Sequence, residues 1–231
     1  VVSFATPIVF SRLLRAYHLS SNPDLSALLV LILPNFFMMR SLPVYDGLYF
    51  VLVSTALIFY AEGHQFLAFL VGVLATLTNP LGLTLFAAFA CASYAKGDRV
   101  QFLRFIVYGV SMAFFLQTSE PWVVYLDPRV NTNLEHSFPP NLFKSITSIK
   151  PLRTFMVVYA VIVIGSLKMW SAAPVLSFYC LVNALLMLTM SMNSQIRSME
   201  TPFAYALLGG LQCFVMREDY KLIILVCYPL F

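Results

Sequence analysis

Charge is what this sequence has least of. Its 231 residues include 14 Lys or Arg and 10 Asp or Glu, so 10% are charged while 60% are apolar. An average soluble domain carries charge on about a quarter of its residues, and a 26.0 kDa globule has too little interior for this much apolar surface. A soluble enzyme is thereby excluded. The cysteines, Cys91, Cys180, Cys213 and Cys227, sit within or at the ends of apolar tracts without CxxC or metal-ligand spacing, and read as small hydrophobes. His18, His64 and His136 are too dispersed to converge on a metal. GxGxxG, P-loop, HExxH and GxSxG motifs are all missing, so no cofactor is expected. The net charge of +4 is scattered, with no basic run interleaved with aromatics, which leaves nucleic acid nothing to bind. There is no internal repeat of fixed period.

What the sequence does have is apolar length. A mean hydropathy of +0.84 and 21 Phe predict a chain solvated mostly by lipid. The expected fold class is all-α, a polytopic helical membrane protein forming one multi-pass domain over 1–231. Apolar tracts fall near 4–17, 25–39, 47–61, 65–77, 81–95, 101–117, 152–169, 173–192, 202–216 and 222–231. Several fall short of the roughly 20 residues that a crossing uses. With Leu33-Pro34-Asn35 and Thr78-Asn79-Pro80 inside or between them, short, broken or re-entrant helices are expected. The tracts are continuous rather than alternating, which argues against a β-barrel. The chain opens Val1-Val2 without Met or a charged leader, and so reads as a processed chain or a fragment.

One long polar connection is expected at 118–150, with Trp122, Tyr125 and Phe138 suited to the headgroup level. If successive tracts alternate across the membrane, one side receives Arg12, Arg15, Lys96, Arg99, Arg104, Lys168, Arg217 and Lys221. That side should be cytosolic. Arg40, Arg197, Asp46, Glu200 and the 118–150 loop then face the lumen. The lumenal acids, Asp46, Glu120, Asp127, Glu135 and Glu200, form no Asp-x-Asp or Asp-Glu pair, and sugar transfer needs an acid to act as base, often with a second to hold a metal. The one adjacent acidic pair, Glu218-Asp219, falls on the cytosolic side. Asn35, Asn79, Asn183, Asn193, Gln195 and Arg197 lie in or beside apolar tracts, where each requires a partner. Helix-to-helix hydrogen bonding is the plain reading of this set, and contact with a lipid headgroup the functional one.

Four stretches carry a family resemblance. Residues 68–86, running through Leu74-Ala75-Thr76 to Asn79-Pro80-Leu81, are joined by Trp122, Tyr125 and Pro140-Asn141-Leu142-Phe143, by Leu33-Pro34-Asn35-Phe36, and by 178–208 with Ala204-Tyr205-Ala206. Together they resemble the multi-pass glycosyltransferases of the GT-C superfamily. Within it, they resemble the subunit-U family of the glycosylphosphatidylinositol (GPI) transamidase over most of residues 25–231. The resemblance implies a non-catalytic subunit in the endoplasmic reticulum membrane that binds or presents the GPI lipid, with the other transamidase subunits as partners. In this reading Asn79, Asn141 and Arg197 are the candidates for contact with the lipid headgroup, and Trp122, Tyr125, Phe138 and Phe143 the candidates for a partner interface. The family's first lumenal loop, which holds catalytic acids in its mannosyltransferases, has no counterpart here, and its last membrane helices are shortened or absent. Two alternatives stay open: a GPI or dolichol-phosphate-mannose-dependent mannosyltransferase whose catalytic loop precedes residue 1, and a structural subunit of another membrane complex.

Overall fold

The computed structural model describes residues 2–20, 22–30, 45–126, 149–187 and 201–211. In chain order the helices are α1 (Val2–Ala16), α2 (Pro23–Val30), α3 (Tyr45–Ala61), α4 (Gln65–Thr78), a 3₁₀ turn (Pro80–Gly82), α5 (Leu83–Ala95), α6 (Arg99–Leu126), α7 (Ile149–Met169) and α8 (Pro174–Met187). A further helix, α9, covers 201–211 and is π-helical over Ala206–Leu211. The described residues contain no strand, and the fold is all-α as the continuous tracts predict. Leu33-Pro34-Asn35 lies outside the described residues.

The expected loop at 118–150 is corrected at both ends. α6 continues through Glu120-Pro121 to Leu126, and α7 has already begun at Ile149. A proline biases a chain toward a helix end without enforcing one. Here Val123, Val124 and Leu126 prolong the apolar run beyond it.

Consecutive helices fold back on one another. α1 packs between α2 and α3, α3 pairs with α4, α5 pairs with both α6 and α8, and α7 pairs with α8 and α9. One close approach is at Gly165 of α7, where a Cβ would overlap the carbonyl oxygen of Ala206. Backbone meets backbone there, which only a residue without a side chain permits.

Three helices end in the same way on the same side of the bundle. His64 N–H donates to Phe59 O (2.8 Å), Asp98 N–H to Ser93 O (3.0 Å) and Leu19 N–H to Leu14 O (3.0 Å), each with the shorter bond that completes a Schellman turn. Gly63 and Gly97 supply the left-handed residue in two of them, but His18, at φ 52°, supplies it in the third. Cross-links show that these turns share one end: Arg12 pairs with Glu62 (2.8 Å) and Lys96 Nζ lies 5.3 Å from the centre of the Tyr60 ring. Gly209 lies against both Leu19 and Met169, which brings the end of α7 to the same side. Arg12, Lys96 and the α7 end bearing Lys168 thus lie toward one end of the bundle.

α5 is buried along most of its length, including Thr84, Leu85, Phe86, Ala88, Phe89, Ala90, Ala92 and Ser93. α6 is its opposite. It touches the bundle by a narrow stripe, Phe102, Phe105, Tyr108, Gly109 and Met112, centred on the Phe105–Phe89 ring contact at 5.0 Å. The rest is apolar and outward, with Leu103, Val107, Val110 and Phe114 all at least 59% exposed. Arg99–Leu116 is the one stretch among the described residues long and apolar enough to cross a membrane, and only 6% of it is buried. α3, α4, α5 and α8 are shorter apolar helices.

The left-handed conformation costs a residue with a Cβ roughly 1–2 kcal/mol, of which glycine's extra chain entropy offsets about half. His18→Gly is therefore expected to stabilise the purified protein by about 0.5–1 kcal/mol, and β-branched His18→Val to lower the melting temperature. A higher melting temperature for the valine variant would show that the turn is not left-handed.

Candidate functional site

Polar side chains in helices this apolar must find partners locally or across helices. Many hydroxyls turn back on their own helix: Thr55 donates to Val51 O (2.7 Å), Thr76 to Gly72 O (2.8 Å), Thr78 to Leu74 O (2.8 Å) and Ser166 to Ile162 O (2.6 Å). A second group converges on the bundle centre. Tyr205 of α9 is fully buried, with its ring 5.9 Å from Phe10, 5.4 Å from Phe50 and 5.9 Å from Tyr179, and its hydroxyl 2.6 Å from Ser54 Oγ. Tyr179 of α8 lies 3.2 Å, hydroxyl to hydroxyl, from Tyr49 of α3.

Asn183, one turn beyond Tyr179 on α8, extends this cluster toward the α4–α5 turn. Its Nδ2 donates to Thr84 Oγ1 (2.9 Å) and to Tyr179 O (2.8 Å), which fixes the amide because the flipped form would set oxygen against a carbonyl. Its Oδ1 is buried and accepts no hydrogen bond. Thr84 in turn donates to Leu81 O (2.6 Å), and Leu81 N–H donates to Asn79 Oδ1 (3.0 Å). Hydrogen bonds thus run from Asn79 through Leu81 and Thr84 to Asn183 and Tyr179. For Asn183, the plain expectation of a helix-to-helix bond is what the geometry gives.

Asn79 occupies the tight turn after α4. Its side-chain oxygen caps the 3₁₀ turn while Pro80 starts it. Gly82 then passes so close to Thr76 that a Cβ would come within 2.5 Å of its backbone nitrogen. Half of the Asn79 amide is thus committed to local structure. Trp122 and Tyr125 lie on the last turns of α6. Asn141, Arg197, Phe138 and Phe143 lie outside the described residues. The tyrosines Tyr49, Tyr179 and Tyr205 escaped the sequence reading because an aromatic in an apolar tract gives no sign of which helix its hydroxyl will meet.

At the end bearing the Schellman turns, charge is organised by short contacts. Asp24 accepts from Ser11 Oγ (2.5 Å) and from Arg15 Nη2 (2.6 and 2.7 Å), joining α2 to α1. The Ser11 hydrogen bond, with help from Arg15, holds the Asp24 carboxyl below its ordinary value. Among the described residues no three His, Cys, Asp or Glu side chains converge as a metal site would require. Cys180 is buried and its Sγ lies 3.5 Å from Pro202 O, while Cys91 is partly exposed and free. No protein-family model, no curated protein and no solved structure matches the chain.

Two expectations can be measured on the purified protein. Tyr205→Phe removes one interhelical hydrogen bond and should cost about 1 kcal/mol. Tyr205→Ala empties the centre and should cost about 3–5 kcal/mol, and a wild-type melting temperature for it would remove the ring from the core. Because the Asp24 carboxyl is lowered in the folded state, its stabilisation is complete above the ordinary carboxylate range and fades as pH falls through and below it. Asp24→Asn should accordingly flatten the fall in melting temperature between about pH 7 and about pH 3, and an unchanged profile would contradict the clamp.

Proposed function

We propose that the chain is a polytopic membrane protein of the endoplasmic reticulum with GT-C-like short, broken helices. In this reading it is a non-catalytic subunit of the GPI transamidase that binds or presents the GPI lipid to the other subunits. The observation carrying the membrane reading is α6. A helix apolar on all sides belongs in a core or in lipid, and α6 is not in the core, since 6% of its apolar window is buried. Exposed Phe66, Leu70, Leu74 and Leu77 on α4 continue the same outer surface. Helix hydroxyls that turn back on their own carbonyls suit the same solvent.

Length supports broken helices. α4 has 14 residues and rises about 21 Å, against roughly 30 Å of hydrocarbon. Starting from the end that carries Glu62 and Lys96, it stops short of the far surface. The Asn79–Gly82 turn then lies at hydrocarbon depth, where backbone groups must be satisfied from within. The Asn79 cap does this. Such a turn, continuous through hydrogen bonds with the Asn183 cluster, is where a lipid headgroup dipping between helices would meet polar atoms. The assignment to GPI and to the transamidase rests on the resemblance in 68–86, 122–143 and 178–208.

The test is affinity purification of the tagged full chain from mild-detergent extracts, with mass spectrometry of what accompanies it. Transamidase subunits and GPI are expected, and Asn79→Ala should reduce the GPI recovered more than the subunits. Absence of those subunits, with GPI attachment unaffected by depletion of the chain, would overturn the assignment. Enrichment of a sugar-transfer product in place of the subunits would favour the mannosyltransferase alternative.

A further inference from the structure

The end of the bundle that carries the Schellman turns holds more cation than it uses. Its described carboxylates are all engaged: Glu62 with Arg12, Asp24 with Ser11 and Arg15, and Asp98 Oδ1 with the Gln101 N–H (3.0 Å). Lys96, Arg99 and Arg104 are exposed and have no carboxylate within ion-pair distance among the described residues. They sit on the α5–α6 turn and the first turns of α6, interleaved with outward apolar side chains: Val100 at 59% and Leu103 at 60% exposure, then Val107 one turn on. Tyr94, 66% exposed with its ring 5.4 Å from Phe102, adds an aromatic at the same level.

Cations, an aromatic and an apolar face in this order match the boundary between headgroups and acyl chains. Aromatics favour that level, and basic stems lie along the apolar surface with their charges toward phosphate. Asp98 offsets part of this charge; zwitterionic headgroups would leave the remainder uncompensated, whereas anionic ones compensate it.

We infer that Lys96, Arg99 and Arg104, with Tyr94 and Leu103, form a binding surface for anionic glycerophospholipid headgroups in the leaflet that faces this end. The inference rests on the membrane reading above, though not on the GPI assignment. Juxtamembrane basic residues each strengthen attraction to an anionic leaflet by roughly fivefold, opposed in part by Asp98. The surface is separate from the Asn79–Asn183 region, which lies at the opposite end of α4, α5 and α8. It gives the chain a lipid preference in one leaflet independent of what the other end binds.

The test uses the full chain purified in detergent and exposed to mixed micelles of phosphatidylserine and phosphatidylcholine, with retained lipid read by native mass spectrometry. Wild type should retain phosphatidylserine preferentially, and added salt should weaken the preference by screening. The variant carrying Lys96→Gln, Arg99→Gln and Arg104→Gln should lose at least tenfold of it. If the triple variant does not fold, Arg104→Gln alone and the wild-type salt series decide. No preference in wild type, insensitivity to salt, or full preference in a folded variant would overturn the inference. Alkaline carbonate extraction of native membranes separates the two readings. A chain released by carbonate refutes the membrane reading itself, whereas one that stays embedded without anionic preference refutes this surface alone.

Discussion

At the middle of the bundle a single side chain draws its helices together. The Tyr205 ring lies among Phe10, Phe50 and Tyr179, and its hydroxyl reaches Ser54, so α9 is joined to α1, α3 and α8 through one residue. Ring packing supplies area and the hydroxyl supplies direction. A phenolic O–H enclosed by apolar groups is costly unless paired, which makes the rotation of α9 against α3 a matter of one short bond. The Gly165 approach then sets how near α7 can come to the same helix. Tyr179 repeats the arrangement with Tyr49, and Asn183 carries it outward along α8 to Thr84.

Around this centre the bundle keeps its apolar surplus outside. α5 is consumed by contacts on several sides, whereas α6 and α4 turn much of their apolar surface outward. Apolar surface left in water forgoes the stabilisation that burial brings. In the proposed membrane setting it carries no such penalty, and association there depends on close fit, small residues and polar pairs. Phe86 against Gly72 and Gly109, Gly165 against Ala206, and Asn183 with Thr84 are contacts of that kind.

The sequence made the helices legible because continuous apolar tracts admit few other readings. α3, α4 and α5 begin and end within a few residues of the tracts that foretell them, α8 begins beside the start of its tract, and the Asn79-Pro80 pair marks the break between α4 and α5. The end of α6 was not legible, since Pro121 marks a bias while the following valines decide the outcome. The extent to which the site could be read follows the same division. Asn79 and Asn183 were visible as polar residues out of place. Tyr49, Tyr179 and Tyr205 were not, because pairing between residues as much as 151 positions apart, as in Ser54 with Tyr205, leaves no local trace. Uniform apolarity also hid which face of each helix turns inward, so burial of α5 and exposure of α6 could not be told from composition.

The shared turn geometry at one end has a steric corollary. Helices held level at one end can differ in height only at the other. There, among the described residues, α4 and α5, with 14 and 13 residues, stop about a turn below α3 with 17 and well below α6 with 28. Among the described residues the far rim is therefore stepped, and Asn79 sits on one of its low steps.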